Sequence, residues 1–231
     1  MSRRFKPKIE VLPAAQRRIW PELKGAATLG FVLYGGTAIA LRLGHRASID
    51  FDFFTDKLLD RRALQGAVPM LSQAKVLQDT PDTVSVLASG KSRVKVSFFA
   101  ALKIGRVGPP DWTEDGVLQV ASLKDLLATK LKVLLQRVEA KDYLDLAAML
   151  DAGADLPAGL AAARALYGET FQPTECLKAL TYFEGGDLNS LPRAIKSRLI
   201  SASAAVTDLP RARRSSRALA LNNQASNRSR G

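Results

Sequence analysis

The chain has 231 residues, of which 47% are hydrophobic, so it is long and apolar enough to form a buried core. No run approaches the roughly 20 apolar residues that span a membrane. The N-terminal residues lack the apolar segment of a secretory signal, and the single cysteine excludes an internal disulfide and a thiolate metal cluster. These features predict a globular cytoplasmic protein without a membrane partner.

The net charge of +12 is concentrated at the two ends of the chain. Residues 211–231 contain six Arg, residues 1–8 contain two Arg and two Lys, and neither segment contains an acid. The residues between them have 24 cations and 22 anions, so the body should be nearly neutral. We predict that residues 206–231 form a solvated, disordered basic tail, which is compatible with RNA binding but does not demonstrate it.

The first hundred residues alternate helix and strand patterns. Apolar residues at helical spacing predict an opening helix over 11–24. A short apolar strand over 29–34 ends at Gly35-Gly36, and helix-forming residues then continue over 37–43.

A second alternating segment carries two acids. Residues 49–53, Ile-Asp-Phe-Asp-Phe, show the period-two pattern of a half-buried strand, so Asp50 and Asp52 should project from one face. A helix over 58–71 follows, and the remaining strand patterns cover 74–77, 83–87 and 93–99. The fold class is therefore α+β, with a mixed sheet of about five strands.

Glycine and proline mark a connection over residues 104–115, which we take as a domain boundary. Beyond it, Ser122 is a suitable N-cap for a helix, and further helical patterns follow. The predicted helices cover 122–137, 141–150, 157–166, 174–183 and 190–203. The expected organisation is an α/β domain at 1–115, a helical bundle at 116–205 and the tail.

The turn Gly35-Gly36-Thr37 has the chemistry of a phosphate-binding loop. Small residues let a phosphate approach the backbone, and the free amides at the start of a helix favour its negative charge. Taken alone, such a turn is more often only structural. The loop that follows adds Arg46 and Ser48, which could also reach a triphosphate.

Two carboxylates at positions i and i+2 of a strand can share divalent cations. Asp50 and Asp52 therefore form a candidate metal pair for Mg²⁺ or Mn²⁺, which would bridge a nucleoside triphosphate. The alternative is an exposed face whose acids meet solvent or pair with Arg42 and Arg46. That alternative explains poorly why both acids alternate with Ile49, Phe51 and Phe53.

Two blocks of the sequence resemble the AbiEii-like nucleotidyltransferases of the DNA polymerase β-like superfamily. The first is residues 33–54, which include Gly-Gly-Thr and Asp-Phe-Asp. The second is residues 121–131, followed by Arg137 and by Lys-Asp-Tyr-Leu-Asp-Leu at 141–146. The resemblance covers roughly residues 25–150, and two blocks in the right order are more specific than either alone.

The resemblance implies a polymerase β-like nucleotidyltransferase domain and a role for each matching residue. It makes Asp50 and Asp52 catalytic metal ligands, and Lys130 a catalytic and phosphate-binding cation. Asp142 and Asp145 would activate or place the acceptor. The expected nucleotide contacts are Gly35, Gly36, Thr37, Arg46, Ser48 and Lys130. Without the resemblance, Lys130 would be assigned to a solvated helix face, and Asp142 and Asp145 to local ion pairs.

The chain departs from the wider superfamily at one position. That superfamily commonly adds a third carboxylate from a later strand, whereas the corresponding segment here offers Lys95 and Ser97. A protein-held two-metal site and the identity of the general base are therefore open.

The resemblance also implies a biological role. We expect nucleotide transfer from a nucleoside triphosphate to an acceptor hydroxyl, with RNA and in particular tRNA as the acceptor. The protein would be the toxin-like component of a bacterial toxin–antitoxin or phage-defence system, with an AbiEi-like antitoxin as genetic partner. Two alternatives stay open, namely transfer to a small molecule or protein, and a non-catalytic nucleotide- or RNA-binding module.

Overall fold

A computed structural model describes residues 3–88 and 94–221 of the chain. Arg93, at the start of a predicted strand, and residues 222–231 of the predicted tail lie outside the described residues. Within the described ranges, no helix is long and apolar enough to cross a membrane.

A mixed sheet of eight strands lies at the centre of the described part of the chain. The strands are β1 (Arg4–Phe5), β2 (Val32–Tyr34), β3 (Asp50–Phe54), β4 (Lys75–Thr80), β5 (Thr83–Ala88), β6 (Val94–Phe99), β7 (Asp111–Thr113) and β8 (Gln119–Val120). Their order is β1-β7-β8-β2-β3-β6-β5-β4. The prediction of about five strands was too low, because β1, β7 and β8 have only two or three residues and show no alternation pattern.

Helices cover the sheet and form most of the C-terminal half. They are α1 (Ala14–Ile19), α2 (Lys24–Thr28), α3 (Gly35–Leu43), α4 (Arg61–Ala67), α5 (Leu123–Leu134), α6 (Ala140–Asp151), α7 (Leu156–Tyr167), α8 (Pro173–Thr181) and α9 (Arg193–Ala204). The predicted α+β class with a helical C-terminal region is confirmed.

Two predicted helices are shorter than their apolar patterns. The opening helix is divided into α1 and α2 by a 3₁₀ turn, Trp20–Leu23, which contains Pro21. Proline lacks an amide hydrogen and clashes with the preceding turn, so it interrupts the α-helical hydrogen bonds. In the same way, α4 ends before Pro69, and a second 3₁₀ turn follows it.

The centre of the sheet places the Gly-Gly turn beside the acid pair. Strand β2 is antiparallel to β3, with Tyr34 opposite Asp52, and α3 begins directly after β2. Strand β3 is also parallel to β6, which pairs Asp50 with Lys95 and Asp52 with Ser97. The turn, the acids and β6 therefore meet on one part of the sheet.

The two halves of the chain share one hydrophobic core. The β7–β8 hairpin spans residue 115, and β8 lies parallel to β2 in the same sheet. Ser122 caps α5, since its hydroxyl accepts a hydrogen bond from the Asp125 amide (3.1 Å). The division into domains at residues 1–115 and 116–205 stays a prediction, and the core cluster contains residues from both ranges.

Part of the basic C-terminal segment packs on the body, which differs from the solvated tail expected over 206–231. The Leu219 side chain is fully buried, and its amide donates to Asp56 Oδ1 (2.9 Å). The Leu221 amide donates to the buried side chain of Gln119 (2.8 Å). Composition gave no sign of this packing, because one leucine among many Arg, Ser and Asn residues supplies the apolar anchor.

Leu219 tests whether this packing stabilises the protein. We expect Leu219→Ala to lower the free energy of unfolding by about 2–4 kcal/mol, because it removes buried methyl groups and leaves a cavity. Leu209→Ala is the matched control, since Leu209 is 40% exposed and its loss should cost little. Urea unfolding of both variants measures the difference, and equal midpoints would contradict the packed position of Leu219.

Candidate active site

The Gly35-Gly36 turn allows two charged side chains to lie against the backbone. Gly35 has a φ of +72°, which L side chains rarely adopt, and a Cβ there would lie 2.6 Å from Asp52 Oδ2. A Cβ on Gly36 would lie 2.7 Å from a guanidinium nitrogen of Arg46. The position of Gly35 therefore requires glycine, whereas a side chain at Gly36 would displace the end of Arg46, and the first turn of α3 lies directly beside Asp52.

Thr37 supports the turn from inside the protein. It is buried, and its hydroxyl donates to the main-chain carbonyl of Asp50 and shares a hydrogen bond with the hydroxyl of Ser48 (2.9 Å). These contacts attach the start of α3 to the start of β3. The side chains of Thr37 and Ser48 are thus engaged with each other, and the main-chain amides of the turn are the groups left for a phosphate.

Strand β3 separates its apolar and acidic side chains as the alternation predicted. Phe51 and Phe53 are fully buried, whereas Asp50 and Asp52 are partly exposed on the other face. Burial and the negative charge of Asp50 raise the pKa of Asp52. Neither carboxylate has a hydrogen bond or ion pair with another described residue, so the pair has unsatisfied acceptor oxygens.

A cleft of about 320 Å³ opens between the sheet and α5 at this point. It contains Gly35, Gly36 and Asp52 on the sheet side, and Lys130 and Arg137 on the helical side. Aromatic side chains, a lysine and uncharged residues complete the lining, namely Tyr34, Phe54, Lys95, Phe99, Thr129, Val133 and Gln136. The lining thus combines aromatic surface with groups of both charges.

Lys130 lies in the wall of the cleft between two buried carboxylates. Its Nζ is 2.7 Å from Asp142 Oδ1 and 2.8 Å from Asp145 Oδ2, and both acids are fully buried. Arg137 donates to Asp142 through Nε (2.8 Å) and a second nitrogen (3.0 Å). Burial would raise the pKa of Asp142, but the bonds from Arg137 and Lys130 lower it.

Asp145 has a further set of partners on the loop between α3 and β3. Arg46 donates to both of its oxygens (2.6 and 2.8 Å), and His45 Nε2 lies 2.7 Å from Oδ1. Burial opposes ionisation, but the hydrogen bonds from His45 and Arg46 and the charge of Lys130 lower the pKa of Asp145 far below its usual range. The acid is therefore ionised and links α6, α5 and the loop.

The chemistry of the site fits a divalent cation. Asp50 and Asp52 are the hard oxygen ligands that Mg²⁺ and Mn²⁺ prefer. A cation would offset both effects that raise the pKa of Asp52, namely its burial and the repulsion from Asp50. Among the residues that the structure describes, no group of three or more His, Cys, Asp and Glu side chains could hold a metal, so the candidate ligands there are the two acids of β3.

The sequence matches the model of a known protein family over most of its length. The model described as the nucleotidyl transferase AbiEii toxin of a type IV toxin–antitoxin system matches residues 23–212. The chain belongs to the AbiEii family. This confirms the resemblance found in the two sequence blocks, and the match extends well beyond residue 150.

Solved structures with the same fold include other nucleotidyltransferases. A putative nucleotidyltransferase from H. pylori superposes with a TM-score of 0.55 at 17% identity, covering 82% of this chain and 92% of that one. The nucleotidyltransferase toxin MenT4 from Mycobacterium tuberculosis has a TM-score of 0.55 at 16% identity, covering 82% of each chain. At such identities the likeness shows the fold alone.

One curated relative matches in sequence. An uncharacterized protein of Aquifex aeolicus is 36% identical over 118 residues, which are 50% of this chain and 55% of that protein. The chain therefore spans about half the length of the curated relative it matches.

The structure brings the predicted residues together in two layers. Gly35, Gly36, Asp52 and Lys130 line the cleft. The other predicted residues lie beside or behind these, with Asp50 next to Asp52, Thr37 bonded to Ser48, and Asp142, Asp145 and Arg46 around Lys130. Their catalytic and binding roles stay predictions.

Several residues of the cleft were absent from the predicted site. Lys95 and Phe99 lie on β6, and their position beside β3 depends on a strand pairing that spacing alone does not reveal. Outside the cleft lining, His45 Nε2 lies 2.7 Å from Asp145 Oδ1, and a contact between residues 100 positions apart has no local signal in the sequence. Arg137 was already part of the second matching block, and that signal could have identified it.

Asp52 and Asp145 should affect stability in opposite directions. Because its pKa is raised in the folded protein, ionised Asp52 destabilises the fold, and we expect Asp52→Asn to raise the unfolding free energy in metal-free buffer by on the order of 1 kcal/mol at pH 7. Asp145→Asn should lower it by about 3–5 kcal/mol, because Arg46 and Lys130 lose a buried counter-charge.

Chemical unfolding between pH 3 and pH 8 measures both effects. The lowered pKa of Asp145 means that its contribution is fully present above the ordinary range of an aspartate and declines as the pH falls through that range and below it. The gain from Asp52→Asn should likewise shrink as the pH falls and Asp52 becomes protonated. Destabilisation by Asp52→Asn in metal-free buffer would contradict the unsatisfied acid pair.

Proposed function

We propose that this protein transfers a nucleotide from a nucleoside triphosphate to an acceptor hydroxyl, with RNA as the acceptor. The observation that carries the proposal is the position of Asp52, one of the unpaired acids of β3, beside the glycine turn and across the cleft from Lys130. In a family of nucleotidyltransferase toxins, this arrangement supplies an acidic metal site and a cationic phosphate site in one cleft.

The two sides of the cleft would hold different parts of the substrate. The main-chain amides at the start of α3 and the cations Lys130 and Arg137 bind phosphate oxygens. Asp50 and Asp52 would hold a divalent cation, which would supply positive charge to neutralise the phosphates. The half-buried rings of Phe54 and Phe99 offer a surface on which a nucleobase can stack.

The reaction requires alignment more than covalent participation of the protein. An acceptor hydroxyl attacks the α-phosphorus and loses its proton to solvent, a new phosphoester bond forms, and the bond to the β-phosphate breaks with release of pyrophosphate. Asp142 and Asp145 are poor proton acceptors, because both pKa values are lowered by bonds to cations. We assign them to positioning, since they hold Lys130 and Arg137 at the cleft wall.

Charge at the surface supports an RNA acceptor. The C-terminal segment carries Arg211, Arg213 and Arg217, which are exposed, while Leu219 and Leu221 attach the same segment to the body. Fixed cations neutralise phosphates with less loss of conformational freedom than a free tail. A toxin role, with an AbiEi-like antitoxin encoded nearby, rests on the family and would appear as growth arrest relieved by the neighbouring gene.

Transfer of label tests the catalytic proposal. Wild-type protein with Mg²⁺, each α-labelled nucleoside triphosphate in turn and total bacterial RNA should label RNA. Asp52→Ala should reduce the rate by at least about 10³-fold, because it removes half of the metal pair. Asp79→Ala is the control, since Asp79 is exposed and pairs with Arg61 away from the cleft.

Equal labelling by wild type and Asp52→Ala would reject catalysis at this site. Absence of label on RNA, with nucleotide still bound, would favour a binding module. Labelling of a small molecule or a protein in a bacterial extract would keep the enzyme and replace the acceptor.

The arginines of the C-terminal segment test the choice of acceptor. Changing Arg211, Arg213 and Arg217 together to Ala should weaken RNA binding. The logarithm of the RNA association constant should also depend less steeply on the logarithm of the salt concentration. We expect the slope to fall by up to about 0.7–0.9 for each phosphate that the variant no longer neutralises. KM for the nucleoside triphosphate should not change. A control triple variant at the exposed cations Arg18, Arg62 and Lys178 should leave the salt slope as in wild type.

A further inference from the structure

The residues next to the acid pair on the sheet are a serine and a lysine. Strands β3 and β6 are parallel, so Ser97 lies beside Asp52 and Lys95 lies beside Asp50. Residues paired across neighbouring strands project to the same face. A third protein group from β6 at the acid pair would come from one of these two positions.

The hydroxyl of Ser97 is engaged by a neighbouring strand. The Ser97 side chain is fully buried, and its hydroxyl is 3.0 Å from the hydroxyl of Ser85 on β5. A neutral hydroxyl engaged in this way is a weak ligand compared with a carboxylate. The segment 89–93, which lies outside the described residues, is Ser-Gly-Lys-Ser-Arg and contains no acid in its sequence.

Lys95, unlike Ser97, is exposed to the cleft and charged. Its positive charge lowers the pKa of Asp52 against the larger effects of burial and Asp50. Unlike Lys130, whose Nζ lies between two carboxylates, Lys95 has no ion-pair partner among the described residues. Its ammonium group is therefore available to a bound anion.

The ligands present are too few for two cations held by the protein. Each Mg²⁺ takes about six oxygens, and the ions of a two-metal site lie about 3.5–4 Å apart, where they repel one another unless several carboxylates surround them. Asp50 and Asp52 together supply four oxygens and two negative charges. One divalent cation neutralises that pair.

We propose that the site binds one divalent cation between Asp50 and Asp52, and that Lys95 is a substrate-binding residue that supplies the second positive charge to the triphosphate. The inference rests on the proposed nucleotide site and assigns Lys95 a role there. The lysine ammonium is a compact positive charge on a flexible side chain, so it can take the place of a second metal ion. A second metal ion would need a third carboxylate as ligand, whereas the lysine does not.

Counting bound Mn²⁺ tests the first half of the proposal. Equimolar protein and each of the four α,β-imido nucleoside triphosphates are titrated with Mn²⁺, and free ion is measured by electron paramagnetic resonance against the nucleotide alone. We expect one Mn²⁺ per wild-type complex and two in Ser97→Asp, which adds a carboxylate beside Asp52. Two ions of similar affinity in wild type, or none, would overturn the proposal.

Affinity for the same analogues tests the second half. At saturating Mn²⁺, Lys95→Met should bind the analogue about tenfold more weakly, whereas Lys95→Arg should stay within about threefold of wild type because it keeps the charge. Lys103→Met is the control, since Lys103 is exposed and does not line the cleft. Equal affinity of Lys95→Met and wild type would remove Lys95 from the site.

These outcomes separate the inference from the proposed function. Two ions per wild-type complex with labelling of RNA would retain the nucleotidyltransferase and reject the single-ion site. Failure of every analogue to bind wild type would reject both. If Ser97→Asp does not fold, the wild-type ion count and the Lys95 variants still decide the question.

Discussion

The ion pairs of Asp145 with Arg46 and Lys130 hold the helical half of the protein against the sheet. Lys130 lies on α5, Asp145 lies on α6, and Arg46 connects Asp145 to the loop that leads into β3. Removing one member of such a buried network leaves an uncompensated charge, which typically costs about 3–5 kcal/mol. The network therefore fixes the distance between the glycine turn and the cations across the cleft.

The two pairs of acids in this protein have opposite electrostatic environments. Asp142 and Asp145 are saturated with cationic partners, and their pKa values are lowered. Asp52 is half-buried beside Asp50, and burial and the charge of Asp50 raise its pKa. The first pair stabilises the folded structure through its bonds to cations, whereas ionised Asp52 lowers the stability of the folded protein. Perturbed acids of this kind cluster at functional sites.

Local patterns predicted the parts of the site that are close in sequence. The Gly-Gly turn, the alternation around Asp50 and Asp52, and the helix capped by Ser122 each have a signal within a few residues. The position of Lys95 was not predictable in this way, because it depends on the register of two parallel strands separated by about 40 residues. The bond between His45 and Asp145, 100 residues apart, is likewise a product of packing.

Packing of the C-terminal segment changes how its positive charge is interpreted. From composition, six arginines near the end of the chain describe a solvated tail whose charges are independent of the active site. Burial of Leu219, its bond to Asp56 and the bridge between Arg106 and Ser216 instead attach four of those arginines to the body. Cations on a packed segment start from a more ordered backbone than those of a free tail. Their summed charge favours the approach of a polyanion to the protein more than that of a small neutral molecule.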